Sequence, residues 1–134
     1  MEQNSYYSSA VYQKSIALRD LSSAIALYFS KDNDAFTLTK TAGLRHVIAN
    51  SLVTDASLIS TSIQKAYETS CFTSRINTMK HISIMTRNIL SYCNGLEQDG
   101  IKEKEYIYLL RREIKLFRRS FKLWRKSLVN SKND

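Results

Sequence analysis

Between Arg111 and Lys126 the chain carries eight basic side chains, Arg111, Arg112, Lys115, Arg118, Arg119, Lys122, Arg125 and Lys126, against one acid, Glu113. Arg111, Lys115, Arg118, Lys122 and Arg125 recur at steps of 4, 3, 4 and 3, which on a helix makes one continuous stripe, and Arg112, Arg119 and Lys126 widen it. A helix face of mixed sign is ordinary solvated surface with internal salt bridges. This one is held at a single sign against its own repulsion, about 0.2–0.5 kcal/mol for each like pair at i, i+3 or i+4. Such a face is the footprint of phosphate binding, with guanidinium forks as bidentate grips and ammonium groups as point charges. Lys80 and Arg87, further upstream, are candidates to extend it. The stretch holds nearly the whole formal net charge of +8, so the rest of the chain is close to neutral.

Other chemistries are poorly furnished. The two histidines, His46 and His81, belong to no HExxH pattern, and neither a GxSxG motif nor a nucleotide-binding loop nor carboxylates paired near a histidine is present. No catalytic residue and no cofactor is assigned on these grounds, and the chain is expected not to be an enzyme. Cys71 and Cys93 match no CxxC or Cys/His ligand spacing, so no metal is expected; both are expected to be small buried apolar residues. The helix-turn-helix, zinc-finger and RNP signatures are absent, which argues against sequence-specific reading of bases. Tyr6, Tyr7 and Tyr12 crowd near the start, where they can edge the core or stack on unpaired bases.

The elements that must carry these residues are helical. Three glycines and no proline in 134 residues cannot furnish the frequent tight turns of a β-sandwich, and 43% apolar residues exclude a disordered chain. Apolar residues step by 3 and 4 in four segments, predicting helices over 6–30, 37–69, 72–97 and 102–129. Their stripes are Leu18, Leu21, Ile25 and Tyr28; Ile48, Leu52, Ala56, Ile59, Ile63 and Ala66; Phe72, Ile76, Met79, Ile82, Met85, Ile89, Tyr92 and Leu96; and Tyr106, Leu110, Ile114, Phe117, Phe121, Trp124 and Leu128. Asn33 or Asp34 is placed to cap the second helix, and Gly43 marks a weak point or a close contact near its start. Gly100 suits a left-handed position after the third helix with Ile101 as the apolar residue beyond it, although Gly95 offers an earlier stop. Residues 130–134 form a polar tail. The expected fold is an all-α, up-down-up-down four-helix bundle in a single domain spanning 1–134. No apolar run reaches the roughly 18 residues of a membrane span, and the first residues lack signal-peptide character, so a cytoplasmic location is expected.

Two resemblances sharpen the functional expectation. Phe36-Thr37-Leu38, Leu44-Arg45, Arg75-x3-Met79 and Met85-x-Arg87-x-Ile89-Leu90 resemble the accessory variability determinant proteins of diversity-generating retroelements. The C-terminal third is the most similar, through Gly100-Ile101, Glu103-Lys104, Tyr106, Leu109, Glu113-Ile114 and the stretch FKLWRKSL from Phe121 to Leu128. Where many members carry a glycine before the closing aromatic, this chain has Lys122 or Leu123. From Tyr12-Gln13-Lys14 onward the chain is also similar, more loosely, to the four-helix-bundle proteins encoded in 23S rRNA intervening sequences. The first resemblance implies a non-catalytic partner of the retroelement reverse transcriptase, assembled as a barrel-like homopentamer with a basic surface. Such a protein binds the polymerase and the template-repeat RNA and supports mutagenic cDNA synthesis; the second implies a structural, RNA-associated bundle. Arg75 and His81 form R-x5-H, which resembles the R-x4-6-H motif of HEPN-type ribonucleases, where the two side chains act on the scissile phosphate. Six residues along a helix points them about 120° apart, so surface residues beside a core stripe are the competing explanation.

Overall fold

A computed structural model describes residues 2–31 and 40–131. It contains four helices, α1 (Glu2–Lys31), α2 (Lys40–Glu68), α3 (Phe72–Gln98) and α4 (Lys104–Ser131), and no strand among the described residues. Helix α1 begins four residues before the expected Tyr6, because periodicity registers only the stretch that packs, whereas a polar helix former such as Glu2 can lead it in. Helix α4 begins at Lys104 rather than residue 102, with Tyr106 N–H donating to Glu103 O at 3.3 Å. It runs through Asn130 to Ser131, into the stretch expected as tail. The expected caps Asn33 and Asp34, and the start of the second helix at Thr37, lie outside the described residues.

Each helix contributes one stripe to the core at alternating steps of 3 and 4. In α2 the expected Ile48, Leu52, Ala56, Ile59, Ile63 and Ala66 are all buried. In α3 the buried positions are Met79, Ile82, Thr86, Ile89, Cys93 and Leu96, while Phe72, Ile76, Met85 and Tyr92 sit at its edge. In α4 they are Ile107, Leu110, Ile114, Phe117, Phe121 and Trp124. Helix α1 differs from its expected stripe. Its inward residues are Ser8, Val11, Ser15, Leu18, Ser22 and Ile25, so that serines alternate with aliphatics. Small residues on both sides allow α1 and α2 to approach closely, and the Ser60 hydroxyl on α2 donates to Ser15 O at 3.3 Å.

The helices form a ring in which each packs on its neighbours in sequence and α4 closes onto α1. Arg45 pairs with Asp99 and Asp55 with Tyr92, so numbers rise along α2 as they fall along α3, and α3 and α4 are likewise antiparallel through Arg111, Asn94 and Glu97. Tyr28 and Tyr106, with ring centroids 4.9 Å apart, mark the α1–α4 seam. The α3–α4 turn is a Schellman motif. Gly100 holds φ +75°, its N–H donates to Glu97 O at 3.1 Å, and Ile101 N–H donates to Leu96 O at 3.4 Å, with both Ile101 and Leu96 buried. Arg45 Nε donates to Asp99 Oδ2 at 2.6 Å and ties this turn to the start of α2. Helix α3 passes through Gly95 without stopping, where a Cβ would stand 3.4 Å from Ile48 Cδ1. At Gly43 a Cβ would meet nothing within 4 Å, so no close contact explains that glycine. No helix among the described residues is long and apolar enough to cross a membrane.

Candidate nucleic-acid interface

Helix α4 has two flanks beside its buried stripe. Tyr106 turns toward α1; Arg111, Arg118 and Arg125, each seven residues after the last, turn toward α3. On α3 the opposing flank carries Lys80, Ser83, Arg87, Asn94 and Glu97. Only one end of this seam is neutralised. There Arg111 Nη2 reaches Glu97 Oε2 at 2.5 Å and donates to Asn94 Oδ1 at 2.8 Å. Arg111 Nη2 is therefore engaged within the fold by a carboxylate and an amide, and this end of the seam carries less unbalanced charge than the rest.

Beyond this tie the seam opens. The α3–α4 packing is the least extensive of the four helix pairs, and two adjoining grooves run along it. The first, about 390 Å³, is lined by Ser83, Thr86, Arg87, Arg118, Arg119, Phe121, Lys122 and Arg125. The second, about 530 Å³, is lined by Ile76, Met79, Lys80, Ser83, Ile84, Arg87, Arg125 and Lys126. Ser83, Arg87 and Arg125 line both, so the two grooves adjoin at these residues along the α3–α4 channel. Lys80 and Arg87, which precede the start of the basic row by 31 and 24 residues, are thus brought across from Lys126, Arg118 and Arg125. Among the described residues no acid lies within ion-pair distance of any of these seven cations. Arg125 is steadied by its position over the Phe121 ring, 5.8 Å from the centroid. Arg112 and Lys115 are exposed on α4 and line neither groove.

A channel of this kind is electrostatically suited to an anion. Like charges gathered on two antiparallel helices raise the local positive potential, and a low-dielectric floor of core side chains concentrates it. The hydroxyls of Ser83 and Thr86 lie among the cations, although Thr86 Oγ1 already donates to Ile82 O at 2.8 Å.

The remaining candidates separate from this site. Arg75 Nε donates to Thr69 O at 2.9 Å, so this arginine fastens the α2–α3 turn, while His81 is exposed a turn and a half further on. The two do not converge on one point. Cys93 is buried as expected, and burial pushes its thiol up to about 11. Cys71 is not buried: it sits exposed at the N-cap of α3, where hydrogen bonding with Ser74 lowers its pKa, and a thiol at a helix start escapes the core because the chain is still turning there. No group of three or more His, Cys, Asp or Glu placed to hold a metal occurs among the described residues. Tyr7 and Tyr12 pack half-buried against the core, which is the core-edge role; the side chain of Tyr6 lies outside the described residues. His46 is exposed.

Inspection of the basic row alone misses Ser83, Thr86, Phe121 and the apolar Ile76, Met79 and Ile84. The signal was available in part, since all but Phe121 lie on α3 within two turns of Lys80 and Arg87. No protein-family model, curated protein or solved structure matches the chain.

Proposed function

We propose that this chain is a non-catalytic nucleic-acid-binding module that grips RNA by its phosphates along the α3–α4 channel. In its fuller form, the proposal is an accessory protein of a diversity-generating retroelement that acts in the cytoplasm. It binds reverse transcriptase and template-repeat RNA as a homopentamer and supports mutagenic cDNA synthesis. The observation that carries the binding half is the channel itself: Lys80, Arg87, Arg118, Arg119, Lys122, Arg125 and Lys126 with no acid within ion-pair distance among the described residues. The sequence resemblance carries the retroelement half, and the four-helix bundle is compatible with it. Fastening of Arg75 to Thr69 O supports a binding role over cleavage by an Arg75–His81 pair.

The test is solution mass by light scattering, taken with the ratio of absorbance at 260 and 280 nm on untreated protein. A pentamer of the 15.5 kDa chain carrying nucleic acid that high salt removes is the expected result. A monomer carrying nucleic acid keeps the binding module and overturns the retroelement assembly, leaving the intervening-sequence type of bundle in its place. Protein free of nucleic acid that also fails to bind added RNA overturns both.

A further inference from the structure

The channel is not uniformly ionic, and its unevenness has chemical meaning. Toward the C-terminal end of α4 its lining changes from cations to Ile76, Met79 and Ile84, with Lys80 and Lys126 beside them. Met79 is buried and Ile76 half-buried, while Ile84 stands 48% exposed although its neighbours on the same groove are charged. A site for phosphate alone gains nothing from an apolar floor, since anions stay hydrated or go to N–H donors. A double helix cannot use the floor either: its bases are turned inward and its convex backbone rides over a cleft between two packed helices, whose axes stand about 8–10 Å apart. An unpaired nucleotide is different, because it carries a flat apolar face and a charge on the same residue.

We infer that the α3–α4 channel selects single-stranded nucleic acid, seating an unpaired base on Ile76 and Ile84 while the flanking phosphates lie on Arg87, Arg118 and Lys122. This rests on the phosphate-binding assignment of the preceding subsection and adds a base-sized subsite to it. Half-buried Ile76 and exposed Ile84 supply the apolar surface that the base covers, with Met79 part of the core behind them. Ile76 and Ile84 carry no hydrogen-bond donor, so the stacking contact itself does not distinguish one base from another.

The experiment measures fluorescence anisotropy with three labelled probes of equal length: a single-stranded RNA without self-pairing, the blunt duplex of that sequence, and an abasic strand with the same number of phosphates. The wild type is expected to bind the single strand about tenfold more tightly than the other two, the effect of one stacked base. Ile84→Ser, an exposed and uncharged change, is expected to bring single-strand affinity down to the abasic level without altering duplex affinity or the salt dependence. Equal affinity for all three probes, with binding still salt-sensitive, overturns the base subsite and leaves the phosphate channel standing. Absence of binding to every probe overturns both.

Discussion

Helix α3 packs against two neighbours, and the two seams are made of opposite materials. Toward α2 it is tied: the Tyr92 hydroxyl donates to Asp55 Oδ2 at 2.7 Å, Gly95 lets Ile48 come close, and Arg75 fastens the turn at the far end. Toward α4 the polar tie is at one end, where Arg111 meets Glu97 and Asn94, and beyond that Lys80 and Arg87 face Arg118, Arg125 and Lys126. Packing is extensive in the first seam and sparse in the second. One helix thus shows both what holds a bundle closed and what holds a seam open. Like charges on both walls give up packing, and what they give in return is a surface complementary to a polyanion. Two facing walls of one sign depart from the usual mixed pairing of helix flanks, and such a departure is where a binding site is to be sought.

The largest effect is expected from reversing the open seam. Arg118→Glu together with Lys122→Glu should lower RNA affinity on the order of a hundredfold or more, with each lost phosphate contact also reducing the salt slope by about 0.7–0.9. Far-ultraviolet circular dichroism should be unchanged, because both side chains are exposed and unpaired. Affinity that survives the double reversal would remove the channel from the binding surface.

The tied seam answers to a different variable. Burial, followed by the hydrogen bond to Asp55, raises the Tyr92 hydroxyl from 10.0 to about 12, so the folded state favours the protonated phenol. The stability it contributes is whole below pH 10 and lost as pH climbs from 10 to about 12. Tyr92→Phe should therefore cost about 1–2 kcal/mol in urea unfolding at neutral pH, and the gap from wild type should close over that alkaline interval. RNA affinity should not move. A gap that is constant with pH would show that the phenol proton plays no part in the tie.

How far these features could be read from the residues depends on whether their cause lies within one helix. The stripes of α2 and α4 were legible because large apolar side chains at steps of 3 and 4 have no other use. Ser8, Ser15 and Ser22 were not, since a serine reads as surface until its place in the core is known, as at Ser15, whose carbonyl accepts from Ser60 on α2. The basic row of α4 was legible for the same reason as its core stripe. The pairing of Arg111 was not, because it is decided by the register of a different helix that sets Glu97 and Asn94 opposite it. Lys80 and Arg87 were visible as cations, but only the antiparallel register shows which residues they face. The apolar end of the channel was hidden altogether: Ile76 and Met79 counted as core, and Ile84 fell outside the stripe. Cys71 misled because thiol burial is a tendency of residue type, and a helix N-cap overrules it.

The smallest effects are the most direct test of why the α3–α4 seam is open. Arg87 sits among Arg118, Arg119, Lys122 and Arg125 with no acid in reach, whereas Arg111 at the other end of the same seam is paired. Glutamine keeps helix propensity and most of the side chain's length while removing the charge. Arg87→Gln should raise stability by about 0.5 kcal/mol at low ionic strength through relief of like-charge repulsion, an increase of about 2–3 °C in Tm. The gain should vanish near 1 M salt, where the screening length falls to about 3 Å. Arg111→Gln should move the other way, costing up to about 1 kcal/mol, because its partner Glu97 is left without a counter-charge in a half-exposed pair. Calorimetry of the two variants at low and high salt reads both signs. If Arg87→Gln destabilises the bundle as Arg111→Gln does, repulsion is not what keeps the seam apart, and its sparse packing then follows from the bulk of the side chains that line it.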